Sequence, residues 1–136
     1  MSFEVAMSDV NRPVSPDSIA PPAANYVHAV VTENASRWLH TSGVVPTRPD
    51  GTTPDDVGDQ AAVVWSNVAA MLDDAGMGPA DVVSVTTYVV AGEPLAPVMA
   101  ARDRFLAGRL AASTLVTVPE LAQPQWRVEV AVVAAR

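Results

Sequence analysis

The sequence predicts a single α+β domain in which two helices pack on one face of a mixed β-sheet. Runs rich in valine and threonine alternate with two stretches whose apolar residues recur at three- and four-residue steps, which gives the order β-β-α-β-α-β-β. The chain has 136 residues, 49% apolar and 17% charged, a composition typical of a globular domain. Because a chain of this length buries roughly two thirds of its extended surface, we expect one hydrophobic core.

The first third of the chain predicts a terminal segment followed by a β-hairpin. Residues 1–15 are mixed in character and end near prolines, so we expect a tail or a short edge strand, with the domain spanning 16–136. Tyr26–Val31 is β-branched and aromatic, and Arg37–Val45 resumes the pattern, so both predict strands. The polar stretch 32–36 between them predicts the turn of a hairpin.

A loop rich in proline leads into the first predicted helix. Thr53 can cap this helix, Pro54 suits its first position, and the aspartates that follow favour its positive end. Gly76 and Gly78 predict its end. Its predicted buried stripe comprises Val57, Ala61, Val64, Val68, Met71 and Leu72.

The remaining elements are three strands and a second helix. The strands are predicted at Asp81–Val90, Ser113–Val118 and Arg127–Ala135, and the helix at Pro94–Gly108. The helix is expected to bury Leu95, Val98, Met99, Phe105 and Leu106, and the last strand Val128, Val130, Val132 and Ala134. With both helices on one face, the other face of the sheet would carry Val and Ala, so we expect copies of the chain to associate through it.

Composition disfavours several kinds of site. Eight Arg, no Lys and fifteen acidic residues give a net charge of −7, so binding of nucleic acid by a broad basic face is disfavoured, although a groove of a few arginines stays open. With no cysteine and only His28 and His40, we expect no metal site. No apolar run reaches 18 residues and Met1 to Ser15 lacks a signal pattern, so we expect no membrane span and a cytoplasmic location.

Two short patterns could hold a small ligand. Tyr26 and His28 lie two residues apart in a predicted strand, so both side chains leave the same face. The pair could bind and polarise a polar substrate with His28 as acid or base, or His28 could bond to a backbone carbonyl. Ser42 could donate a hydrogen bond to a ligand and Gly43 could let the backbone approach it, although a turn without function fits equally.

Charged side chains and the second histidine admit different interpretations. Arg127 and Glu129 share a face of the last predicted strand, so Glu129 is either paired with Arg127 or held for proton transfer. His40, which shares a strand face with Trp38, is predicted to pack or to lie in an interface. The segment 102–104 of the second helix, Arg-Asp-Arg, predicts a solvated charged face.

Several short motifs occur in a recognisable order along the chain. They are Ala-Pro-Pro at 20–22, Asn-Tyr-Val-His-Ala-Val at 25–30, Thr-Ser-Gly-Val-Val-Pro at 41–46, Gln60 and Asn67 in the first helix, the link from Leu72 to Val83, and Val-Glu-Val at 128–130. Through these motifs the chain resembles the RidA/YjgF/L-PSP family from Asp17 to Ala135.

That resemblance implies a chorismate-mutase-like α+β fold. It also implies a homotrimer in which the sheets form a central barrel and small-molecule pockets lie between subunits. The best-known activity of the family is hydrolysis of reactive enamines and imines to a keto acid and ammonia, without a metal or an organic cofactor. Other members are linked to deamination of aminomuconate-type compounds, to ribonuclease-like activity or to ligand binding alone.

The resemblance implies site residues as well. The family's pocket tyrosine falls on Tyr26, its serine on Ser42, and the glutamate that helps to activate water on Glu129. Ser113 stands where deaminase members carry the arginine that binds the substrate carboxylate, so the chain resembles a divergent member. Met99 aligns with a pocket asparagine.

A further departure is His28, at a position that is often glutamine in the family. Loss of one charged partner can weaken carboxylate binding roughly tenfold to a hundredfold, so small 2-imino acids are not the expected substrates. A larger or less acidic imine, enamine, enol or lactone is expected instead.

The sequence therefore predicts a RidA-like enzyme that hydrolyses or otherwise resolves a reactive imine, enamine or enol-type metabolite between subunits. The candidate catalytic residues are Glu129, Tyr26 and His28, and the candidate substrate-binding residues are Ser42, Gly43, Ser113, Met99 and Arg127. The alternative is a non-catalytic protein of the same fold that binds a small metabolite. Ribonuclease-like activity is disfavoured by the acidic charge.

Overall fold

The computed structural model describes residues 10–136, which form two β-sheets and two α-helices. The strands are β1 (Asn11–Val14), β2 (Ala29–Thr32), β3 (Trp38–His40), β4 (Val82–Val90), β5 (Ala112–Val118) and β6 (Val128–Ala135). The helices are α1 (Val57–Asp74) and α2 (Ala96–Leu106), and a 3₁₀ turn, Pro79–Asp81, leads into β4. Of the terminal segment predicted as a tail or an edge strand, residues 1–9 lie outside the described residues.

The main sheet has four strands in the order β3-β6-β4-β5. Strands β4 and β5 run parallel and are connected through α2, as a parallel pair requires. Strand β6 runs antiparallel to both β3 and β4, so the sheet is mixed. Because α1 and α2 both pack on one face of this sheet, the predicted α+β fold is confirmed. Within residues 10–136, no helix combines the length and the apolar character needed to cross a membrane.

The predicted hairpin between the first two internal strands is wrong. Strand β2 pairs with β1 in a separate two-stranded sheet, and β3 pairs with β6, where Trp38 lies opposite Ala135. The backbone N–H groups of Ser36 and Arg37 both donate to the carbonyl of Arg136 at 2.9 Å. The end of the chain therefore occupies the edge of β3, a pairing between distant segments that local spacing does not reveal.

The hydrophobic core lies between the helices and the main sheet. As predicted, α1 buries Val57, Ala61, Val64, Val68 and Leu72, and β6 buries Val128, Val130, Val132 and Ala134. Met71 is 40% exposed, against expectation, whereas Trp65 is buried and stacks on Phe105 with ring centroids 4.8 Å apart. On α2, Leu95 is exposed and Arg102 is among the buried residues, so the predicted stripe of α2 needs correction.

The start of α1 also differs from the prediction. Asp56, and not Thr53, caps the helix, because the Asp56 carboxylate accepts a hydrogen bond from the N–H of Asp59 at 3.1 Å. Pro54 lies before the helix, where its carbonyl accepts a hydrogen bond from Nε2 of buried Gln60 at 2.8 Å. This bond fixes the approaching chain outside the helix, so the first helical residue comes after Asp56.

One face of the main sheet is covered by neither α1 nor α2, and we call it the open face. Side chains alternate along β6, so Glu129, Ala131 and Val133 point to the open face. Beside them on β4 are Tyr88, Thr86 and Ser84. The expectation of a Val and Ala surface is therefore only partly correct, since hydroxyl groups and one carboxylate interrupt it. Trp38 and Val116 are nevertheless 50% and 40% exposed there.

Replacement of Asp56 by Ala should lower the free energy of unfolding by about 1 kcal/mol, because an N–H group in the first turn of α1 loses its acceptor. Thr53→Ala is the matched control and should change that free energy by no more than about 0.5 kcal/mol. Urea unfolding followed by circular dichroism measures both variants. Equal losses in the two would contradict Asp56 as the cap.

Candidate functional site

Glu129 and Gly43 meet at the open face. Glu129 is the second residue of β6, half-buried and opposite Tyr88 of β4. The loop after β3 is held beside it, because Val44 and Val130 exchange backbone hydrogen bonds of 2.7 and 3.1 Å. A Cβ atom added to Gly43 would lie 2.7 Å from Cδ of Glu129 and would overlap its Oε2. Only glycine therefore fits here without a shift of the carboxylate.

The carboxylate of Glu129 has no hydrogen-bond or ion-pair partner within residues 10–136. Arg127, the cation considered as its partner, instead donates from Nε to Oε2 of Glu93 at 2.7 Å. Of the two interpretations of the sequence, the structure therefore does not contain the Glu129–Arg127 pair. A half-buried carboxylate without a partner is suited to accept a proton, so Glu129 stays the candidate general base.

Tyr26 and His28 lie together just before β2, and His28 is in a bend, so the strand predicted at Tyr26–Val31 starts only at Ala29. Their rings meet edge to face with centroids 6.2 Å apart. Nε2 of His28 donates a hydrogen bond to the carbonyl of Ala20 at 2.6 Å, and the Tyr26 hydroxyl accepts one from the N–H of Ala23 at 3.3 Å. His28 is therefore bonded to the backbone, one of the two roles considered for it, and its Nδ1 is the ring nitrogen left for other contacts.

Arg102 is buried, with 5% of its surface exposed, which corrects the expectation that it belongs to a solvated face. Its Nη1 donates to the hydroxyl of Ser113 at 3.1 Å, and its Nε donates to Oδ1 of Asp103 at 3.1 Å. Nη2 lies 3.1 Å from the same carboxylate oxygen, as an ion pair, but its own N–H groups lack a hydrogen-bond partner among the described residues. Thus Ser113, which has no charge of its own, holds a guanidinium from α2.

The same network reaches the segment that carries Tyr26. Nδ2 of Asn25 donates to Oδ2 of Asp103 at 3.1 Å, so α2 is tied to this segment as well as to β5. Val27 then pairs with the start of β5 through its N–H, which donates to the carbonyl of Ala111 at 3.2 Å. The half-buried Met99 lies one helical turn before Asp103. The structure therefore brings the segment of Tyr26 and the residues Met99 and Ser113 to one edge of the main sheet.

Ser113 and Glu129 lie on opposite sides of the main sheet. Ser113 is in register with Val85 of β4, which is in register with Val132 of β6, and both valines are buried beneath the helices. Glu129 is in register with Tyr88 on the open face. Since directly opposite residues in a sheet point to the same side, Ser113 and Glu129 point to different sides. They do not line one common pocket within a single chain.

The remaining candidates lie at the surface. Ser42 is exposed next to Gly43, and His40 stacks on Trp38 at the open face, with ring centroids 6.2 Å apart and an angle of 20° between the rings. No group of three or more histidine, aspartate or glutamate side chains in the described part of the chain could hold a metal ion.

Sequence reasoning missed the buried role of Arg102 and its partners Asp103 and Asn25. A signal for it exists, because Arg102 lies four residues from each of two buried residues on α2, Val98 and Leu106, and so shares their face.

Gly43→Ala should lower the free energy of unfolding by only about 0.5–1 kcal/mol, because the new methyl group displaces the carboxylate of Glu129, which is the far end of a flexible side chain. In a Glu129→Ala background the same substitution should cost much less, since the overlapping atoms are gone. Thermal unfolding of the wild type, the two single variants and the double variant measures the coupling. Additive effects would mean that these two residues do not touch.

Known proteins resemble this chain in sequence. The family described as Endoribonuclease L-PSP matches residues 17–136. A RutC family protein of Haemophilus influenzae is 36% identical over 92 residues, which cover 67% of this chain. The match covers 65% of that protein, so it spans slightly less than two thirds of the relative's own length.

Solved structures resemble the chain in fold. A protein of unknown function from Yersinia pestis, YyfB of the conserved Rid family, has a TM-score of 0.85 at 32% identity, covering 93% of this chain and 99% of its own. The YjgF gene product of E. coli has a TM-score of 0.68 at 26% identity, covering 92% and 98%. The matched residues 17–136 include Glu129, Gly43, Tyr26 and Ser113. The resemblance drawn from the motifs is confirmed, and the chain belongs to the Rid/YjgF/L-PSP family.

Proposed function

We propose that the protein is a cytoplasmic enzyme that hydrolyses (deaminates), or otherwise resolves, a reactive imine, enamine or enol-type metabolite. The observation that carries the proposal is the half-buried Glu129 carboxylate, which lies against Gly43 and has no partner among the residues described. Such a carboxylate can take a proton from a water molecule that attacks a C=N carbon. The exposed Ser42 beside Gly43 supplies a hydroxyl group for the substrate heteroatom.

Hydrolysis of an imine at this site takes two steps in which Glu129 moves the protons. In the first step Glu129 takes a proton from water as the water oxygen bonds to carbon, and delivers that proton to nitrogen, which gives a carbinolamine. In the second it takes the hydroxyl proton and delivers it to nitrogen while the C–N bond breaks. Ammonia leaves, and the carbon becomes a carbonyl group. Ser42 and the partner subunit's Tyr26 hold the heteroatom, and neither step needs a metal or an organic cofactor.

A pocket shared between subunits accounts for the separation of the two groups of site residues. Glu129 and Gly43 belong to the open face, whereas Tyr26 and Ser113 lie at the edge formed by β5. A second copy of the chain that covers the open face would bring its own Tyr26 towards this Glu129. A closed homotrimer repeats that contact around a ring, because each copy offers one face and receives the other.

The expected preference for substrates other than small 2-imino acids is kept in this proposal. Ser113 is neutral, and the Arg102 guanidinium beside it is already held by Ser113 and Asp103. Nη2 of Arg102 is buried, so within one chain it offers no surface to a ligand.

The second candidate is a non-catalytic protein that binds a small metabolite. Tyr26 and His28 both bond to the protein's own backbone, at Ala23 and Ala20, which favours a fixed binding surface over proton transfer at these two side chains. The two candidates differ in turnover, so one experiment separates them.

Glu129→Gln should lower kcat for ammonia release about 10²–10⁴-fold with little change in KM, because the base is lost while the shape of the site is kept. The substrates are 2-aminoacrylate, generated in situ, and a panel of larger neutral imines. Glu33→Gln, an exposed residue just after β2, is the matched control and should keep the wild-type rate. Full activity of Glu129→Gln would overturn the role of Glu129, and binding without turnover in the wild type would favour the second candidate.

Light scattering at micromolar concentration should give three times the chain mass of 14.2 kDa. Val116→Asp, which places a charge on the open face, should shift the protein towards the monomer and abolish turnover, because the pocket is then incomplete. Ala62→Asp on the exposed side of α1 is the control and should leave the mass unchanged. A monomeric wild type would rule out a pocket between subunits.

A further inference from the structure

A long loop joins the two strands of the smaller sheet. Strands β1 and β2 pair antiparallel, yet residues 15–28 separate them. A loop between two such strands usually has about two to five residues, and much longer loops in compact domains are commonly functional. The loop also carries Ile19, a large apolar side chain that is 49% exposed. It therefore extends well beyond what the reversal of the chain requires.

The loop encloses a cleft of about 280 Å³. Its lining combines an apolar wall with a few polar groups. The apolar side chains are those of Pro16, Ile19, Pro21 and Pro22, and the polar ones are those of Ser15, Asp17 and His28. The volume is just below that of sites for drug-sized ligands, so the cleft suits a small molecule with one apolar group.

The shape of the cleft is fixed by the loop itself. The prolines of its lining have restricted φ angles. Nε2 of His28 donates a hydrogen bond to the carbonyl of Ala20 at 2.6 Å, and the N–H of Tyr26 donates to the carbonyl of Ala24 at 3.0 Å. Because these contacts already order the loop, a ligand does not bear the full entropic cost of ordering it.

The polar groups of the cleft include two acceptors that lack a donor. Since Nε2 of His28 carries the proton that the carbonyl of Ala20 accepts, the neutral ring presents a lone pair at Nδ1. In the part of the chain that the structure describes, neither this Nδ1 nor the exposed carboxylate of Asp17 has a hydrogen-bond or ion-pair partner. Asp17 is also the one lining residue with a full charge.

These acceptors and this charge narrow the class of ligand. A carboxylate or a phosphate would be repelled by Asp17 and by the net charge of −7 on the chain. A neutral hydroxyl group would donate to one acceptor and leave the charge of Asp17 without a counter-charge. An ammonium group carries three donors and a positive charge, so it matches both acceptors.

We propose that the cleft is a second ligand site, which binds a primary amine in its ammonium form. The ammonium group donates to the carboxylate of Asp17 and to Nδ1 of His28, and the apolar group of the amine rests on Ile19 and the prolines. This inference goes beyond the proposed function and does not depend on the chemistry of Glu129.

Titration of the full, isotope-labelled chain with benzylamine, benzyl alcohol and benzoate, followed by NMR, tests the inference. At neutral pH these probes are a cation, a neutral molecule and an anion of nearly the same shape. The wild type should bind benzylamine about tenfold more tightly than either other probe, because its hydrogen bonds are to a charged group. The chemical-shift changes should be concentrated in residues 15–28.

Asp17→Asn should weaken the binding of benzylamine about tenfold and leave that of benzyl alcohol nearly unchanged, because the amide oxygen still accepts a hydrogen bond. Ile19→Ala should weaken the binding of both probes alike, since it removes part of the apolar wall. Asp55→Asn removes the same charge from an exposed position before α1, outside the cleft, and should bind as the wild type does.

Glu129→Gln separates this cleft from the proposed catalytic site and should bind benzylamine as tightly as the wild type. A loss of affinity in this variant, with shifts in β6, would place the amine at Glu129 and overturn the inference. Equal affinity for the three probes would also overturn it, as would benzylamine binding that is unchanged in Asp17→Asn. So would the absence of saturable benzylamine binding at millimolar concentration.

Discussion

Strand β6 is the constraint on which the rest of the structure depends. It pairs with β3 on one edge and with β4 on the other, so its register sets the positions of both neighbours. The residues of β6 that face the helices are each at most 1% exposed, namely Val128, Val130, Val132 and Ala134. The intervening positions place Glu129 on the open face. A slip of one residue would exchange the two sets, so core packing also fixes the site of the carboxylate.

Local patterns in the sequence predict the elements of the domain well. The strand predicted at Asp81–Val90 occurs as Val82–Val90, and α1 ends where Gly76 takes a φ of +71°, which glycine tolerates. Both signals arise within a few residues of chain. Pairing partners do not, because β3 finds its partner in β6 near the other end of the chain. The predicted hairpin fails for that reason.

The sequence predicts which residues belong to the candidate site but not which of them are in contact. The motifs point to Tyr26 and Glu129, yet nothing in their spacing indicates that Glu129 lies on the open face and Tyr26 at the edge formed by β5. The sequence predicts a solvated Arg102 because arginine is rarely buried without partners, and its partners Asp103 and Ser113 come together only in the folded chain. The bond between Arg127 and Glu93, a residue on a separate loop, likewise forms only in the folded chain.

Because Gly43 and Glu129 are in contact, substitutions at these two distant positions depend on each other during evolution. While the carboxylate is present, any side chain at position 43 displaces it, so exchange of the glycine alone moves the acid out of its present place. A lineage that first shortens residue 129 is released from that restriction. Related proteins with a larger residue at position 43 are therefore expected to lack a carboxylate at position 129, and with it any chemistry that needs one.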